Sequence, residues 1–409
     1  MVLFEEALAI VLSQKATPAC VRVSLGASTG RVLAEGIFSD MAMPPFDKSA
    51  VDGYACRMED IVPGQPQEGI PGSRGCDDWK SATLAVIEII PAGKVPAKKV
   101  GPGECSKIMT GAMVPQGADC VVMVEDSEEP ASGRVRFTRF SPAKNICYKG
   151  EDIRPGDPVL EKGTKIAPAQ VAVLASVGAA NPLVFNQPRV GIISTGDELV
   201  EPSMIPGPAQ IRNSNGWQLE AQVRSVPATA DYIGIAPDDG PGLRSVIDRA
   251  FVENDVVLLS GGVSMGEFDH VPGILREAGV EILFEKIAVQ PGKPTVFGRK
   301  GDKFVFGLPG NPVSSFVLFE MLVRPFLLKM MGHTEHTPDL LLRMGVDFSR
   351  RKSERKSLIP VQIREGAVFP VEYHGSAHIH AYTKANAVLV VPIGTTAINK
   401  GDQVHVRPI

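Results

Sequence analysis

Four short segments of the sequence carry glycine, proline and small polar residues or acidic side chains, and each directly follows a predicted strand. They are TGDE (195–198), PDD (237–239), GGVSMGEFD (261–269) and PGNPVSS (309–315). Backbone amides and glycine, which allows close backbone approach, suit phosphate or another small anion. Carboxylates beside such amides suit a hard cation such as Mg²⁺ that bridges phosphate oxygens. These segments therefore predict a site for an anionic ligand and a cation.

The segment 309–315 has the clearest physical basis for binding an anion. Asn311 can cap a helix and Pro312 fits its first position, so the amides of 313–315 would face outward with the helix dipole behind them. Taken alone, the same residues are explained more simply by an ordinary capped helix. Gly261 and Gly262 allow close approach to a phosphate, although a glycine-rich turn alone is a weak signal.

Four of the carboxylates on these segments are candidate ligands: Asp197, Glu198, Asp238 and Asp269. Their recurrence at several strand ends favours a cation site. The alternative for two of them is helix capping, by Asp269 before 271–272 and by Asp238 or Asp239 before a helix that follows 240–241.

Two lysines flank QPG (290–292) and place positive charge near the same predicted sheet edge. The rigid PGKP turn (291–294) would aim Lys293, whereas Lys286 precedes it. A solvated surface position is the alternative for each lysine.

Two other functions fit parts of the sequence. GVSMG (262–266) matches the G-x-S-x-G nucleophile elbow, which would make Ser264 the nucleophile of a hydrolase. An elbow needs a tight strand-to-helix turn, and the predicted helix begins only near Asp269, so the spacing argues against it. Three histidines, His374, His378 and His380, fit either a metal cluster or a surface face of a strand. Walker A and G-x-G-x-x-G patterns are absent from the sequence.

The elements that position these segments alternate between strand and helix after residue 188. Buried strands are predicted at 189–194, 231–236 and 255–260, and helices at 216–225, 243–251, 271–278 and from 313 onward. A hairpin is predicted for 295–298 with 303–308. This order predicts βαβαβ units with a parallel sheet, where ligands bind at the carboxyl ends of the strands.

The rest of the chain has other patterns. Helices are predicted from Phe4 to before 17–18, at 30–37 and at 168–177, the last after the turns of 150–166. The region 41–147 has short apolar runs such as 84–90 and 120–126 and predicts a β-rich domain. Short strands from 337 to 409, including 387–393 and 403–409, predict a barrel-like domain.

Composition restricts the class of protein. A charge of −4 gives no basic excess for a nucleic acid partner, and 44% apolar residues with 22% charged residues indicate a globular protein. The six cysteines form no C-x-x-C pair, which fits a reducing cytosol. No export signal is predicted at the N-terminus. The apolar stretch 314–331 contains Glu320, Arg324 and Lys329 and predicts a core helix rather than a membrane span. We expect a cytoplasmic protein.

Seven motifs in order resemble the molybdopterin molybdenumtransferases, the MoeA and gephyrin E-domain family. They are PPFDKSAVDGYA (44–55), TGAMVPQGADCVVMVED (110–126), GEDI (150–153), STGDEL (194–199), SGGVSMGEFD (260–269), PGKP (291–294) and GLPGNPVSS (307–315).

The resemblance implies a multidomain α/β plus β fold. It implies an elongated first domain from two segments (1–45 and 148–180), a β-rich second (46–147), a three-layer α/β/α molybdopterin-binding third (181–331) and a C-terminal β-barrel fourth (332–409). It also implies a homodimer whose site combines the third domain of one subunit with the second domain of its partner. The expected partners are an adenylylating molybdopterin protein and acceptor apoenzymes.

The chemistry that the resemblance implies is Mg²⁺-assisted insertion of molybdate into adenylylated molybdopterin, with release of AMP. A noncatalytic pterin-binding or scaffolding homologue and a tungstate-inserting paralogue are the alternatives.

The resemblance also transfers roles to residues. Glu198, Asp52, Thr110, Asp152 and Lys286 are expected to be catalytic, with Asp52 and Thr110 reaching across the dimer, and Asp238 and Asp269 to position the metal and the adenylate phosphate. The expected binding residues are Thr195, Gly196, Gly261, Gly262, Ser264, Lys293, Gly310, Asn311, Ser314 and Ser376.

Two positions depart from the family pattern. Lys48 stands where asparagine is usual, and Gln290 replaces a frequent lysine before the PGKP turn. Because glutamine still donates hydrogen bonds but carries no charge, we expect an altered oxyanion site rather than an inactive one.

Overall fold

The computed structural model describes residues 1–15, 19–61, 83–139, 143–237, 240–263, 271–333 and 339–409. The chain divides into two compact units. The first unit comprises Met1–Glu35, Glu161–Ala172 and Ala180–Ile409, and the second comprises Gly36–Leu160 and Val173–Ala179.

Seven α-helices lie in the described ranges, and the predicted helices at the N-terminus, at 168–177 and after residue 188 are confirmed. They are α1 Phe4–Ser13, α2 Pro168–Ser176, α3 Ser214–Ser225, α4 Gly240–Glu253, α5 Val271–Glu277, α6 Pro312–Leu318 and α7 Arg324–Met330. A π-helical turn, Phe319–Val323, joins α6 to α7. In α1 the Glu6 carboxylate accepts the Leu3 amide hydrogen at 2.9 Å, and the apolar face with Phe4 and Val11 is buried.

The predicted helix at 30–37 is wrong. Val32 and Leu33 instead form isolated bridges to Lys165 and Val184, and strand pairing begins again at Ile37. Gly30 has φ of +81°, which interrupts a right-handed helix at its first residue. The apolar residues of this segment are buried by pairing with neighbouring chain rather than by a helical face.

Strands make up much of both units. From residue 20 to 160 they are β1 Cys20–Arg22, β2 Ile37–Phe38, β3 Lys48–Ser49, β4 Gly53–Cys56, β5 Thr83–Ile90, β6 Glu104–Ile108, β7 Cys120–Met123, β8 Ser127–Ala131, β9 Arg134–Phe137, β10 Ile146–Cys147 and β11 Pro158–Leu160. From 183 to 308 they are β12 Leu183–Phe185, β13 Arg189–Thr195, β14 Leu199–Val200, β15 Ile211–Arg212, β16 Thr229–Ala236, β17 Val256–Ser260, β18 Glu281–Lys286, β19 Val289–Gln290, β20 Pro294–Lys300 and β21 Lys303–Leu308. From 340 they are β22 Leu340–Met344, β23 Phe348–Ser349, β24 Lys356–Arg364, β25 Ala367–Pro370, β26 Ala387–Val391, β27 Ala397–Ile398 and β28 Gln403–Pro408.

The central sheet of the first unit has the order β16-β13-β17-β21-β20-β18. Its first four strands are parallel, and β20 pairs antiparallel with β21 and β18, which confirms the predicted hairpin. Consecutive residues of β17 alternate between two cores: Val256 and Leu258 lie in one cluster, and Val257 and Leu259 in the other. A sheet buried on both faces forms the middle of three layers, as expected for α/β/α.

The apolar stretch after residue 313 is a buried helix, as predicted. Glu320 is 7% exposed; burial raises its pKa, and the Gln222 amide donates to its carboxylate at 2.8 Å. Across the described ranges, helices long and apolar enough to span a bilayer are absent.

The C-terminal strands form a closed barrel, as predicted. The sheet order β24-β25-β22-β28-β26 closes through a β24–β26 pairing, and β19 adds parallel to β24. Val361, Leu389 and Val406 are fully buried inside it.

The β-rich second unit contains a six-stranded sheet ordered β7-β4-β6-β5-β9-β8. The predicted strands at 84–90 and 120–126 correspond to β5 and β7, although 124–126 forms a 3₁₀ turn. Tyr54 and Phe137 pack in its core.

Candidate functional site: strand ends and a cationic cavity

The carboxyl ends of β13 and β17 require glycine. Gly261 has φ of +102°, and a Cβ there would lie 2.9 Å from the Thr195 hydroxyl oxygen and closer still to the Thr195 carbonyl oxygen. Gly262 has φ of +63°, and its Cβ would lie 2.8 Å from Val271. Thr195 is 3% exposed, and its hydroxyl has no hydrogen-bond partner within the described ranges. The structure therefore brings Thr195, Gly261 and Gly262 together, as the motif positions imply.

Glu198 lies directly over the backbone of the first strand-end loop. A Cβ on Gly196, whose φ is +142°, would lie 2.7 Å from Oε1 of Glu198. The Glu198 side chain is exposed. The backbone carbonyl oxygen of Glu198 accepts the Ile211 amide hydrogen at 2.8 Å. The carboxylate is thus held near the end of β13 while it remains accessible to a ligand.

Two asparagines that the sequence analysis missed connect the strand ends. Asn213 caps α3 by accepting from the Gly216 amide at 3.0 Å, and its carbonyl also accepts from the Ser194 hydroxyl at 3.0 Å. The Asn215 amide nitrogen donates to the Ser260 hydroxyl and to the Gly310 carbonyl, both at 2.8 Å. The pattern N-S-N at the start of a predicted helix is the signal that indicates them.

The carbonyl oxygen of Asn215 has no partner in the described part of the chain, although the residue is 8% exposed. An unsatisfied buried acceptor costs about 1–3 kcal/mol, so this residue is not the most stable choice for its position.

A cavity of about 650 Å³ lies between the loops after β19 and β21 and the barrel. Its lining includes the predicted residues Lys293, Asn311, Ser314 and Ser376. It also includes basic residues that the sequence analysis did not single out: Arg350, Arg351, Lys352 and Arg355. No carboxylate is among the described residues that line it, so the cavity suits an anion.

The lining side chains differ in what they already bind. Arg350 donates to the Thr395 carbonyl at 2.6 Å and to the Arg355 carbonyl at 2.9 Å, so it mainly fixes the loop. Within the described ranges neither Arg351 nor Lys352 has an ion pair. Burial raises the pKa of Tyr373 to about 12, so its hydroxyl stays protonated as a donor.

The PGKP turn delivers one of the two predicted lysines to this cavity. The Lys293 carbonyl accepts from the Ile287 amide at 3.0 Å, and the Thr295 hydroxyl donates to the Gly292 carbonyl at 2.7 Å, which fixes the turn. Lys286 instead lines a separate cavity with Arg276 and Glu285. Gln290 lines the cationic cavity together with the basic side chains named above.

The start of α6 differs from the prediction. Asn311 makes no side-chain capping bond. The Val313 amide donates to the Ser376 carbonyl at 3.0 Å, and the Ser315 amide donates to the Asn311 carbonyl at 3.1 Å. Neither of these two amides is a free donor that faces outward, because the loop that carries Ser376 accepts the first and the helix itself accepts the second. Side chains of the barrel supply the positive charge instead.

In the second unit, Asp52 and Thr110 form a hydrogen-bonded pair. Oδ1 of Asp52 accepts from the Thr110 amide at 2.6 Å and from its hydroxyl at 2.9 Å, and these bonds lower the pKa of the exposed Asp52 carboxyl. Asp152 is exposed, and its amide donates to the Met43 carbonyl at 3.1 Å. Lys48, in β3, pairs with Cys147.

Asp238, Asp269 and Ser264 lie outside the described residues. His378 and His380 lie at a 3₁₀ turn rather than on a strand. The His374 and His378 rings stack with centroids 4.9 Å apart, and the described ranges contain no group of metal-ligating side chains that could hold an ion.

Three family models match successive parts of the chain. They are the MoeA N-terminal region (domain I and II) over 2–178, a probable molybdopterin binding domain over 191–329 and the MoeA C-terminal region (domain IV) over 342–409. The middle match covers the sheet and strand ends described above, and the last covers the barrel.

Similar proteins extend over the whole chain. The molybdopterin molybdenumtransferase of Staphylococcus aureus (strain MRSA252) is 34% identical over 98% of this chain and 94% of its own, and that of Staphylococcus epidermidis (strain ATCC 12228 / FDA PCI 1200) is 32% identical over the same shares. The crystal structure of the molybdopterin biosynthesis MoeA protein from Pyrococcus horikosii matches with a TM-score of 0.83 at 32% identity, covering 100% of this chain and 99% of that one.

The fold and the family models define an α/β domain of the molybdopterin-binding family joined to a C-terminal barrel. The chain belongs to the molybdopterin molybdenumtransferase family. It is therefore an enzyme of molybdenum cofactor biosynthesis.

Proposed function

We propose that this enzyme inserts molybdate into adenylylated molybdopterin and releases AMP with the help of Mg²⁺. The observation that supports this most is the cavity lined by Lys293, Arg351, Lys352 and Arg355 without a carboxylate among its described residues. A doubly charged tetrahedral oxyanion can accept hydrogen bonds from several such groups at once. Ser314, Ser376 and Tyr373 add neutral donors around the same space.

The pterin nucleotide occupies the strand ends in this proposal. Its phosphate approaches the backbone at Gly261 and Gly262, where side chains are excluded, and Thr195, Gly196 and Gly310 form the adjoining surface. Glycine permits contact that any Cβ would block. Asn311 and Ser314 line the edge of the cationic cavity, so the loop after β21 connects the two binding regions.

Carboxylates are the ligands that Mg²⁺ prefers. From the motifs alone, we assign Asp238 and Asp269, which lie outside the described residues, to this cation and to the adenylate phosphate. When bound, the ion would neutralise negative charge on phosphate oxygens. Glu198, accessible at the end of β13, orients molybdate or the attacking water. Lys286 is assigned to catalysis from the family resemblance alone, since the cavity that it lines is a separate one.

We further propose a homodimer in which Asp52, Thr110 and Asp152 complete the partner's site. The Thr110 bonds keep the Asp52 carboxylate charged and fixed. Mixing Asp52→Ala with Glu198→Ala subunits tests this: random heterodimers contain one intact site each, so activity should recover to about a quarter of wild type. If the mixture stays as inactive as its components, the site lies within one subunit.

The reaction itself is tested with purified protein, adenylylated molybdopterin, Mg²⁺ and either molybdate or tungstate. AMP release that depends on molybdate supports molybdenum insertion, whereas preference for tungstate identifies a tungstate-inserting enzyme. Release no greater than in the protein-free control contradicts the proposal and supports a noncatalytic pterin-binding or scaffolding protein. Glu198→Ala should abolish release, while Glu253→Ala, an exposed control, should not.

We propose a cytoplasmic setting, an adenylylating molybdopterin protein as the donor of substrate and apoenzymes as acceptors of product. The four-domain division with boundaries at 45/46, 147/148, 180/181 and 331/332 remains part of this proposal. Limited proteolysis that cuts near these boundaries would support it, and cuts inside the proposed domains would contradict it.

A further inference from the structure

Two loops of the candidate site touch each other at the carboxyl ends of β17 and β21. The strands pair in parallel, with Ser260 opposite Leu308, and the Gly261 amide donates to the Leu308 carbonyl at 3.1 Å. A Cβ on Gly310 would lie 3.6 Å from the Cα of Gly261. The relative position of these loops therefore sets the shape of the surface on which a phosphate would lie.

One side chain on a third element holds both loops. Asn215, in the first turn of α3, uses its two amide hydrogens for the Ser260 hydroxyl and the Gly310 carbonyl, each at 2.8 Å. Because both hydrogens are on one planar nitrogen, the separation of the two acceptors is restricted. Asn213 ties the same helical turn to β13 through Ser194. The start of α3 thus connects the ends of three neighbouring strands.

We propose that Asn215 is a positioning residue for the pterin nucleotide: it sets the geometry of the Gly261 and Gly310 backbone rather than contacting the reacting atoms. This rests on the proposed function and adds a residue to the nucleotide half of the site. Asn215 does not itself line the cationic cavity, although the loop after β21 that it holds reaches the cavity through Asn311, so nucleotide binding should change much more than molybdate binding.

The chain contains a matched control. Asn254 is also buried, donates from one amide nitrogen to Asp231 and Ala250, and has an unpartnered carbonyl oxygen. Asn254 precedes the amino end of β17, whereas Ser260 is at the carboxyl end of that strand. Asn254 therefore lies at the end of β17 that is away from the candidate site. Asn215→Asp and Asn254→Asp each replace the two donors by a carboxylate of nearly the same shape.

The full-length wild type and both variants are compared by thermal unfolding, by pterin fluorescence on binding molybdopterin and by steady-state AMP release. Both variants should lose stability, and Asn254→Asp should lose more, because its new carboxylate would face the carboxylate of Asp231. Asn215→Asp should raise the dissociation constant for molybdopterin and the KM for its adenylylated form by about tenfold or more, with the KM for molybdate changed less than about twofold. Asn254→Asp should leave all three constants near wild type.

Equal pterin affinities of the two variants, or parallel rises of both KM values for Asn215→Asp, would overturn the proposal. If wild type releases no AMP, the proposed reaction fails, yet the molybdopterin binding comparison still decides the role of Asn215. Asn215→Ser keeps one donor and is the folded alternative if the aspartate variant does not accumulate. A molybdopterin affinity of Asn215→Ser between that of wild type and that expected for Asn215→Asp supports the positioning role. An affinity equal to that of wild type contradicts it.

Discussion

The strand ends and the cationic cavity belong to the same unit but rely on different physics. At the strand ends, buried neutral groups and glycines fix the backbone: Thr195, Asn215 and Ser260 are all at least nine-tenths buried. In the cavity, Lys293 and the barrel loop 350–355 supply positive charge to an open space. Geometry therefore selects the ligand at the first region, and charge attracts it at the second.

The difference has consequences for mutation and for salt. A backbone held by short hydrogen bonds tolerates no added atoms and responds little to ionic strength. A group of exposed basic side chains tolerates single changes but weakens as salt rises, since the Debye length falls to about 8 Å at physiological ionic strength.

The largest expected effect is that of Gly261→Ala. The new Cβ would collide with the Thr195 carbonyl at a φ of +102°, so we expect turnover to fall by about two orders of magnitude or more, with a stability loss of about 1–3 kcal/mol. Gly401→Ala, at a similar φ of +93° with nothing within 4 Å, is the control for the φ cost alone. Turnover and urea unfolding should distinguish Gly261→Ala from the control variant. Equal losses of turnover and stability in the two variants would show that the contact with Thr195 is unimportant.

Removing charge from the cavity should have the next largest effect. We expect the Arg351→Gln, Lys352→Gln double variant to weaken molybdate binding about tenfold at low salt and less at high salt, because its two cations have no ion pair in the described ranges. Isothermal titration at two ionic strengths measures this. Arg364→Gln, on the barrel but lining another cavity, is the control.

The same titration applied to Gln290→Lys sharpens the comparison, since an added cation should strengthen binding if charge dominates. A salt-independent loss in the double variant would indicate that shape rather than charge is what matters there.

The two N-cap asparagines provide a smaller, structural test. Asn213→Ala should destabilise the protein by about 1 kcal/mol, because it removes the cap to Gly216 and the acceptor for Ser194. Asn311→Ala should cost clearly less, because Asn311 makes no capping bond. Denaturant unfolding distinguishes them, and equal losses would contradict the hydrogen bonding described for α6.

The smallest expected effect concerns Asp52 in the second unit, where the neutral amide and hydroxyl of Thr110 donate hydrogen bonds to its charged carboxylate. The pKa of Asp52 is lower in the folded protein than in the unfolded chain. The stability that its bonds to Thr110 contribute is therefore fully present above the unfolded pKa and is lost as pH falls through the folded pKa. Thr110→Val keeps the amide but removes the hydroxyl, so it should raise the Asp52 pKa toward its ordinary value. Carboxyl-detected NMR titration measures it; an unchanged pKa would exclude the hydroxyl as a cause.

Periodicity and turn chemistry predicted much of the first unit. Apolar runs such as 256–260 are buried on both faces and cannot lie at a surface, so the alternating order of elements was enough to predict the parallel strands and the hairpin. The prediction of a helix at 30–37 was wrong because its apolar residues are equally suited to short β-bridges with segments far along the chain, as between Leu33 and Val184.

The site could be predicted only where local sequence determines it. Gly261, Gly262 and Lys293 depend on backbone turns that their own neighbours define. Arg351 and Lys352 were missed because they come from the barrel, far along the chain, and a basic run usually indicates a solvated surface. The separation of Lys286 from Lys293 depends on the β18–β20 pairing and the turn between them, which spacing does not reveal.

The central claim is that one molybdenum atom enters the pterin for each adenylate that leaves. A single-turnover reaction with limiting adenylylated molybdopterin, followed by chromatography of AMP and metal analysis of the protein-bound pterin, measures both quantities together. We predict equal amounts of AMP and pterin-bound molybdenum, and neither product from Glu198→Ala. AMP released without molybdenum incorporation would contradict the account.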